Sequence, residues 1–199
     1  MKKLLHVGCG PNTKENTIKF FDDSWEETRV DINKDVNPDI VATMTDLSKV
    51  NKDSYDAIFS SHSIEHVYAH EVEIALKEFY SVLNKDGFVV ITCPDLKSTA
   101  KLIVEDKLFE TAYESPAGPI SPIDMIYGHR GYIQKGNHYM SHKCGFTLKV
   151  LLGVLKHCGF GSVAGIERPK AFDLWVVAKK NKQEQKSFEK FATSVLNSI

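Results

Sequence analysis

Leu4-Leu5-His6-Val7-Gly8-Cys9-Gly10-Pro11 is a short apolar run that stops at two glycines one residue apart. The pattern is that of a buried parallel strand passing into a tight turn. Glycine carries no Cβ, so the backbone can turn sharply and a ligand can approach the main chain closely. A lone Gly-x-Gly fits an ordinary strand-to-helix turn equally well. The residues that follow at fixed distances decide between the two.

Downstream, Thr13–Phe21 has room for one or two helical turns, with Ile18 and Phe21 facing inward. Asn16 and Thr17 are weak helix formers, so this first helix is short. Thr28–Ile32, Pro38–Met44 and Tyr55–Ser61 read as strands, and Asp31, Asp46 and Ser61-His62 fall at or just past their ends. Val72, Leu76, Phe79, Tyr80 and Leu83 share one face of a helix running from about Ala69 to Leu83. Asn84-Lys85-Asp86-Gly87 ends it, and Phe88–Thr92 is an apolar strand buried on both faces. A helix over Lys97–Asp106, another from Thr147 to His157, and strands over Ser162–Arg168 and Phe172–Lys179 complete the pattern. Strands alternating with helices predict an α/β fold with a parallel sheet, whose ligands bind beyond the strand C-termini.

The 199 residues carry 42% apolar and 26% charged side chains and a net charge of -1. That balance gives no global attraction to nucleic acid or to an anionic membrane. Cys9, Cys93, Cys144 and Cys158 lack metal-binding or disulfide-framework spacing and read as thiols of a reducing compartment. The apolar run of Met1-Lys2-Lys3-Leu4-Leu5 ends by Val7, too early for a signal sequence, and no stretch approaches the length of a membrane helix. The expectation is a cytoplasmic protein.

Taken in order, Leu5–Gly10, Val30-Asp31-Ile32, Asp46-Leu47, Tyr55–Ser61 and Leu83–Phe88 resemble the class I S-adenosylmethionine-dependent methyltransferases. The likeness is to the type 11 group, with Gly-Cys-Gly in the first motif and Glu-His after the fourth strand. It covers residues 3–93 directly. It implies a doubly wound, seven-stranded, mostly parallel sheet with helices on both faces and a shortened first helix. Residues 1–180 would form one domain, with 113–146 inserted over the acceptor site and 181–199 as a tail or docked helix. It also implies S-adenosylmethionine as cofactor and S-adenosylhomocysteine as product. Gly8, Cys9 and Gly10 would then pass close to the methionine portion, and Asp31 would accept from both ribose hydroxyls. Ile32 would pack on the adenine or ribose, Asp46 and the Leu47 N–H would meet the adenine, and Ser61 and His62 would lie near the methyl group. Two departures stand out: His6 occupies a position where the group commonly has an acid, and Asn12 takes the place of a third glycine.

The 113–146 segment has no clear periodicity, yet it holds Tyr127, Tyr132 and Tyr139 with His129, His138 and His142. Its aromatic content suits an ordered lid over a small-molecule acceptor rather than a solvated loop. His66, His129, His138 and His142 are the candidate proton acceptors. Bracing of the lid by bonds to loop carbonyls is the alternative role for the insertion's three. His138, His142 and Cys144 have ligand chemistry, but without a helix to align them no metal site is expected. The leading reading is methyl transfer to a small molecule. An inactive S-adenosylmethionine-binding or partner protein is the alternative, motivated by His6 and the short first helix. A nicotinamide dehydrogenase stands further off, because the third glycine of its fingerprint falls on Thr13.

Overall fold

The structure, a computed structural model, describes residues 1–199. Seven strands form one sheet: β1 (Lys2–Val7), β2 (Trp25–Asp31), β3 (Ile40–Val41), β4 (Tyr55–Ser61), β5 (Leu83–Pro94), β8 (Ser162–Arg168) and β9 (Asp173–Lys179). Their spatial order is β3-β2-β1-β4-β5-β9-β8. The first five are parallel, and β9 runs antiparallel to both β5 and β8. Strand order reverses between β1 and β4, which opens a crevice at their carboxyl ends.

Side-chain alternation divides the core into two layers. Leu5, Val7, Ile58, Val89, Ile91, Val176 and Ala178 face one side, where α1 (Val72–Val82) and α5 (Leu148–His157) cover them. On α1 the inward residues Val72, Ala75, Leu76, Phe79 and Val82 follow helical spacing and are buried. Leu4, Ala57, Phe59, Phe88, Val90, Trp175 and Val177 face the other side.

That second layer is where the short first helix matters. Between β1 and β2 the chain makes only a 3-10 turn, Lys14–Asn16, yet Ile18 and Phe21 are buried as expected. The helix α6 (Gln185–Leu196) docks on the same face through Phe188, Ala192 and Val195. Phe191 stands edge-on to Phe88 with centroids 4.9 Å apart, and the Lys19 N–H donates to the Ser198 carbonyl at 3.0 Å.

Two local expectations need correction. The third strand shrinks to Ile40–Val41 because the chain turns at Thr43–Asp46, where the Asp46 N–H bonds the Thr43 carbonyl. Asn84–Gly87 does not separate helix from strand; β5 starts at Leu83 and absorbs these residues as an irregularity against Tyr55–Ala57. After β5, Asp95 caps α2 (Leu96–Val104) by accepting the Lys97 and Ser98 N–H groups.

The 113–146 segment is ordered from short pieces: the hairpin β6 (Tyr113–Ser115) and β7 (Gly118–Ile120), α3 (Pro122–Tyr127), α4 (Arg130–Gln134) and a 3-10 turn at His138–Met140. Its end is tied to the sheet. The Lys143 and Cys144 N–H groups both donate to the Glu65 carbonyl, and the Leu96 N–H donates to that of Phe146. No helix is long and apolar enough to cross a membrane.

Candidate active site

Strand register sets the site. Val7 pairs with Val30 and His6 with Phe59, so Gly8, Asp31 and Ser61 lie level at the strand ends. A cleft of about 370 Å³ opens there, walled by Gly8, Gly10, Asp31 and Ile32 on one side and by the 137–143 end of the lid on the other. Ile32 is 48% exposed, a large apolar side chain presented to this cleft.

The glycine turn is required twice over. Gly8 has φ +68°, and a Cβ there would sit 2.2 Å from Ser63 Oγ. Gly10 has φ +54° but faces open space, so its backbone alone demands glycine. Asp31 holds the turn: Oδ2 accepts the Gly10 N–H at 2.8 Å and Oδ1 accepts the Asn33 N–H at 2.8 Å. Each oxygen keeps a further lone pair for hydroxyl donors in the cleft.

Arg29, which no sequence motif singles out, fastens this arrangement from behind. Its guanidinium donates to the carbonyls of Gly10 (2.7 Å), Asn12 (2.9 Å), Val36 (3.2 Å) and Asn37 (3.0 Å). Five fixed N–H donors suit such a cluster of loop carbonyls. The His6 departure is also answered by a neighbour. His6 Nδ1–H donates to Glu27 Oε1 at 2.8 Å, while Glu27 Oε2 accepts the Lys14 N–H at 3.0 Å. A carboxylate therefore still braces the turn after β1, supplied from β2.

Four of the expected cofactor residues lie off the cleft wall. Cys9 is buried, and burial pushes its thiol up to about 11. Asp46 points to solvent, its carboxylate accepting the Ser48 N–H. The Leu47 side chain is in the core, and its N–H donates to Glu78 at 2.8 Å. Ser61 is half-buried and offers its carbonyl to Ser63 Oγ. The wall assigned to Asp46-Leu47 is formed instead by Thr43, Met44 and Thr45, lifted into the cleft by the turn that shortens β3.

At the floor, the chain leaves β4 through His62, a non-glycine residue at φ +47°. Such a conformation costs about 1–3 kcal/mol and persists only where the surroundings hold it. His62 lines the cleft with its side chain 48% exposed. Crowding by protein opposes its charge, but the Glu65 carboxylate at 3.6 Å outweighs this and raises its pKa. Glu65 is 1% exposed and neither carboxylate oxygen has a hydrogen-bond partner. Burial favours its neutral acid, yet His62, His66 and His142 together hold its pKa down. His66 lines the cleft, with Nδ1–H donating to the Ser141 carbonyl at 3.0 Å. His142 lies behind it, with Nδ1–H on the Met125 carbonyl at 2.9 Å and Nε2 4.0 Å from Glu65. Burial lowers its pKa.

The other lid candidates separate from this group. His129 caps α4, its ring accepting the Tyr132 N–H, and His138 is exposed; neither lines the cleft. His138 is therefore not grouped with His142, and the Cys144 thiol, raised to about 11 by burial, donates to the Ile64 carbonyl. Of the three lid tyrosines only Tyr139 reaches the cleft; of the lid cations, only Lys143, whose ammonium sits 4.8 Å from the centre of the Tyr68 ring. Arg130 is bound instead to Asp124. Sequence reading also missed Asn137 and Met140, which complete the lid side.

This is the fold of the class I S-adenosylmethionine-dependent methyltransferases. Residues 5–91 match the methyltransferase domain family. An S-adenosylmethionine-dependent methyltransferase from Archaeoglobus fulgidus superposes with a TM-score of 0.59 at 18% identity, covering 90% of this chain and 86% of that one. One from Methanosarcina mazei gives 0.58 at 15% identity, covering 91% and 93%. The 1,6-didemethyltoxoflavin-N1-methyltransferase of Burkholderia thailandensis, solved with 1,6-didemethyltoxoflavin and S-adenosylhomocysteine, gives 0.56 at 16% identity, covering 90% and 71%. No curated protein matches the chain by sequence.

Proposed function

We propose that the cleft binds S-adenosylmethionine and that the protein transfers its methyl group to a small molecule held under the 137–143 end of the lid. The observation that carries this reading is the Asp31 carboxylate, fixed by two backbone N–H groups directly beside the Gly8–Gly10 turn. A carboxylate so placed accepts both hydroxyls of a ribose. Gly8 and Gly10 leave room for the amino-acid portion of the cofactor, and Ile32, Val36, Ala42 and Met44 offer an apolar slot for its base. The polar rim of that slot comes from Thr43 and Thr45 in place of Asp46 and Leu47.

When bound, the cofactor supplies a methyl group on a sulfonium, ready for direct displacement. The chain supplies alignment of the acceptor, an effect worth up to about 7–11 kcal/mol in well-oriented systems. His62 and His66 form the floor, while Tyr68, Tyr139 and Met140 exclude water. Lys143 at the rim and the unpartnered Asn137 Oδ1 favour an acceptor with oxygen or nitrogen donors and some negative charge. That a structural neighbour holds 1,6-didemethyltoxoflavin beside S-adenosylhomocysteine supports an acceptor of small size. His129 and His138 have no part in this scheme.

The test is transfer of label from methyl-labelled S-adenosylmethionine into a metabolite extract with macromolecules removed. Label in a small-molecule product, absent with Asp31→Ala, is the expected result. Tight cofactor binding with no transfer to any fraction would make the protein a non-catalytic binder.

A further inference from the structure

Beneath the acceptor side of the cleft, three side chains converge in a way that methyl transfer alone does not require. One ligand-type atom from each of Glu65, His66 and His142 lies within 4.8 Å of the others. The two histidines already donate through Nδ1 to backbone carbonyls, of Ser141 and Met125. A carbonyl only accepts, so Nδ1 carries a proton, and Nε2 is the nitrogen left to bind a cation. This is the outer-shell arrangement that fixes a histidine as a metal ligand. Glu65 supplies a buried carboxylate with both oxygens unpartnered, an expensive state unless a cation completes it.

We propose that Glu65, His66 and His142 form a site for one divalent transition-metal ion. Two imidazole nitrogens and one carboxylate suit an ion of the zinc, cobalt or iron(II) kind rather than magnesium, which prefers oxygen donors. Bonds of ~2.0–2.2 Å to such an ion bring ligand atoms to roughly 3–3.5 Å of one another. The 4.0 Å between His142 Nε2 and Glu65 therefore needs only small side-chain adjustment. His62, 3.6 Å from the same carboxylate, either joins as a further ligand or gives way. Cys144 stays outside, its Sγ turned to the Ile64 carbonyl at 3.5 Å.

The site joins two parts of the fold. Glu65 and His66 lie on the turn after β4, while His142 belongs to the lid. An ion there latches the lid to the sheet. Because His66 faces the cleft, open coordination positions would receive an oxygen donor of the acceptor; this last role, unlike metal binding itself, rests on the proposed methyl transfer.

Cobalt(II) is the probe, added to chelator-treated full-length protein and followed by its visible absorption. One equivalent is expected to give saturable bands, displaced by zinc but not by excess magnesium, with a rise in melting temperature. Glu65→Gln and His142→Ala should each weaken binding by about tenfold or more, while the exposed surface substitution His157→Ala leaves it unchanged. Calorimetric titration with S-adenosylhomocysteine, run in parallel, reports on the cofactor cleft and on folding of each variant. Absence of saturable cobalt binding to the wild-type protein at millimolar ion would overturn the site. So would unchanged affinity in both variants, or displacement by magnesium. Loss of the S-adenosylhomocysteine titration with cobalt binding intact would count against the cofactor reading alone.

Discussion

Gly8 and Gly10 differ in what they protect. An alanine at Gly8 meets both a left-handed backbone and Ser63 Oγ, whereas at Gly10 it meets the backbone penalty only. Gly8→Ala is therefore expected to destabilise the protein by more than the ~1–2 kcal/mol of the conformational penalty alone, measured by urea unfolding. Gly10→Ala should stay near that value but block the cleft, losing cofactor affinity out of proportion to stability. Equal stability losses would contradict this account of the turn. That Gly8, Gly10, Asp31 and Ile32 meet at one cleft was legible in the sequence because strand, turn and acid follow one another at short range. Glu65 was not, because nothing local in the sequence shows that His142 will fold against it. Asp46 and Leu47 lie off the cleft wall because the turn at Thr43 moves that wall a few residues upstream.

Among the elements, α6 stands where the first helix is missing. Phe188 is buried against the aromatic layer of Trp25, Phe88 and Trp175. Phe188→Ala should cost about 3–5 kcal/mol in denaturant unfolding, with cofactor affinity of the folded fraction unchanged. A loss below ~1 kcal/mol would mean that α6 packs only weakly. The sequence does not choose between tail and docked helix for 181–199, because the face that α6 covers is opened only by the short turn at Lys14–Asn16. In the lid, Asp124 accepts from Arg130, Ser121 and the Arg130 N–H. Burial opposes its charge, but these bonds hold its pKa well below the usual carboxylate range. Its contribution is thus present above the ordinary carboxylate pKa of about 4 and is lost as pH falls toward the depressed value. Proteolysis of the 121–134 segment should accelerate on acidification below about pH 4, and Asp124→Asn should remove that acid-dependent step. A pH-independent cleavage rate in the wild type would refute the assignment.

For the molecule as a whole, alternating strands and helices made the sheet legible, and the two faces of the core follow from that alternation. The lid's path was not, because its short helices have no periodicity and it is positioned by backbone bonds from Lys143 and Cys144 to Glu65. The cleft exists only where sheet ends and lid meet, so a ligand bound there stabilises both. S-adenosylhomocysteine at a hundredfold excess over its Kd should add about 2.7 kcal/mol, raising the melting temperature by roughly 5–11 °C. The most direct measurement is calorimetric titration of S-adenosylhomocysteine into wild-type protein and Asp31→Ala. The account predicts one site per chain, weakened about 10–150-fold in the variant by loss of hydrogen bonds to a charged acceptor. No binding by the wild type at millimolar ligand, or equal affinity in the two proteins, would contradict it.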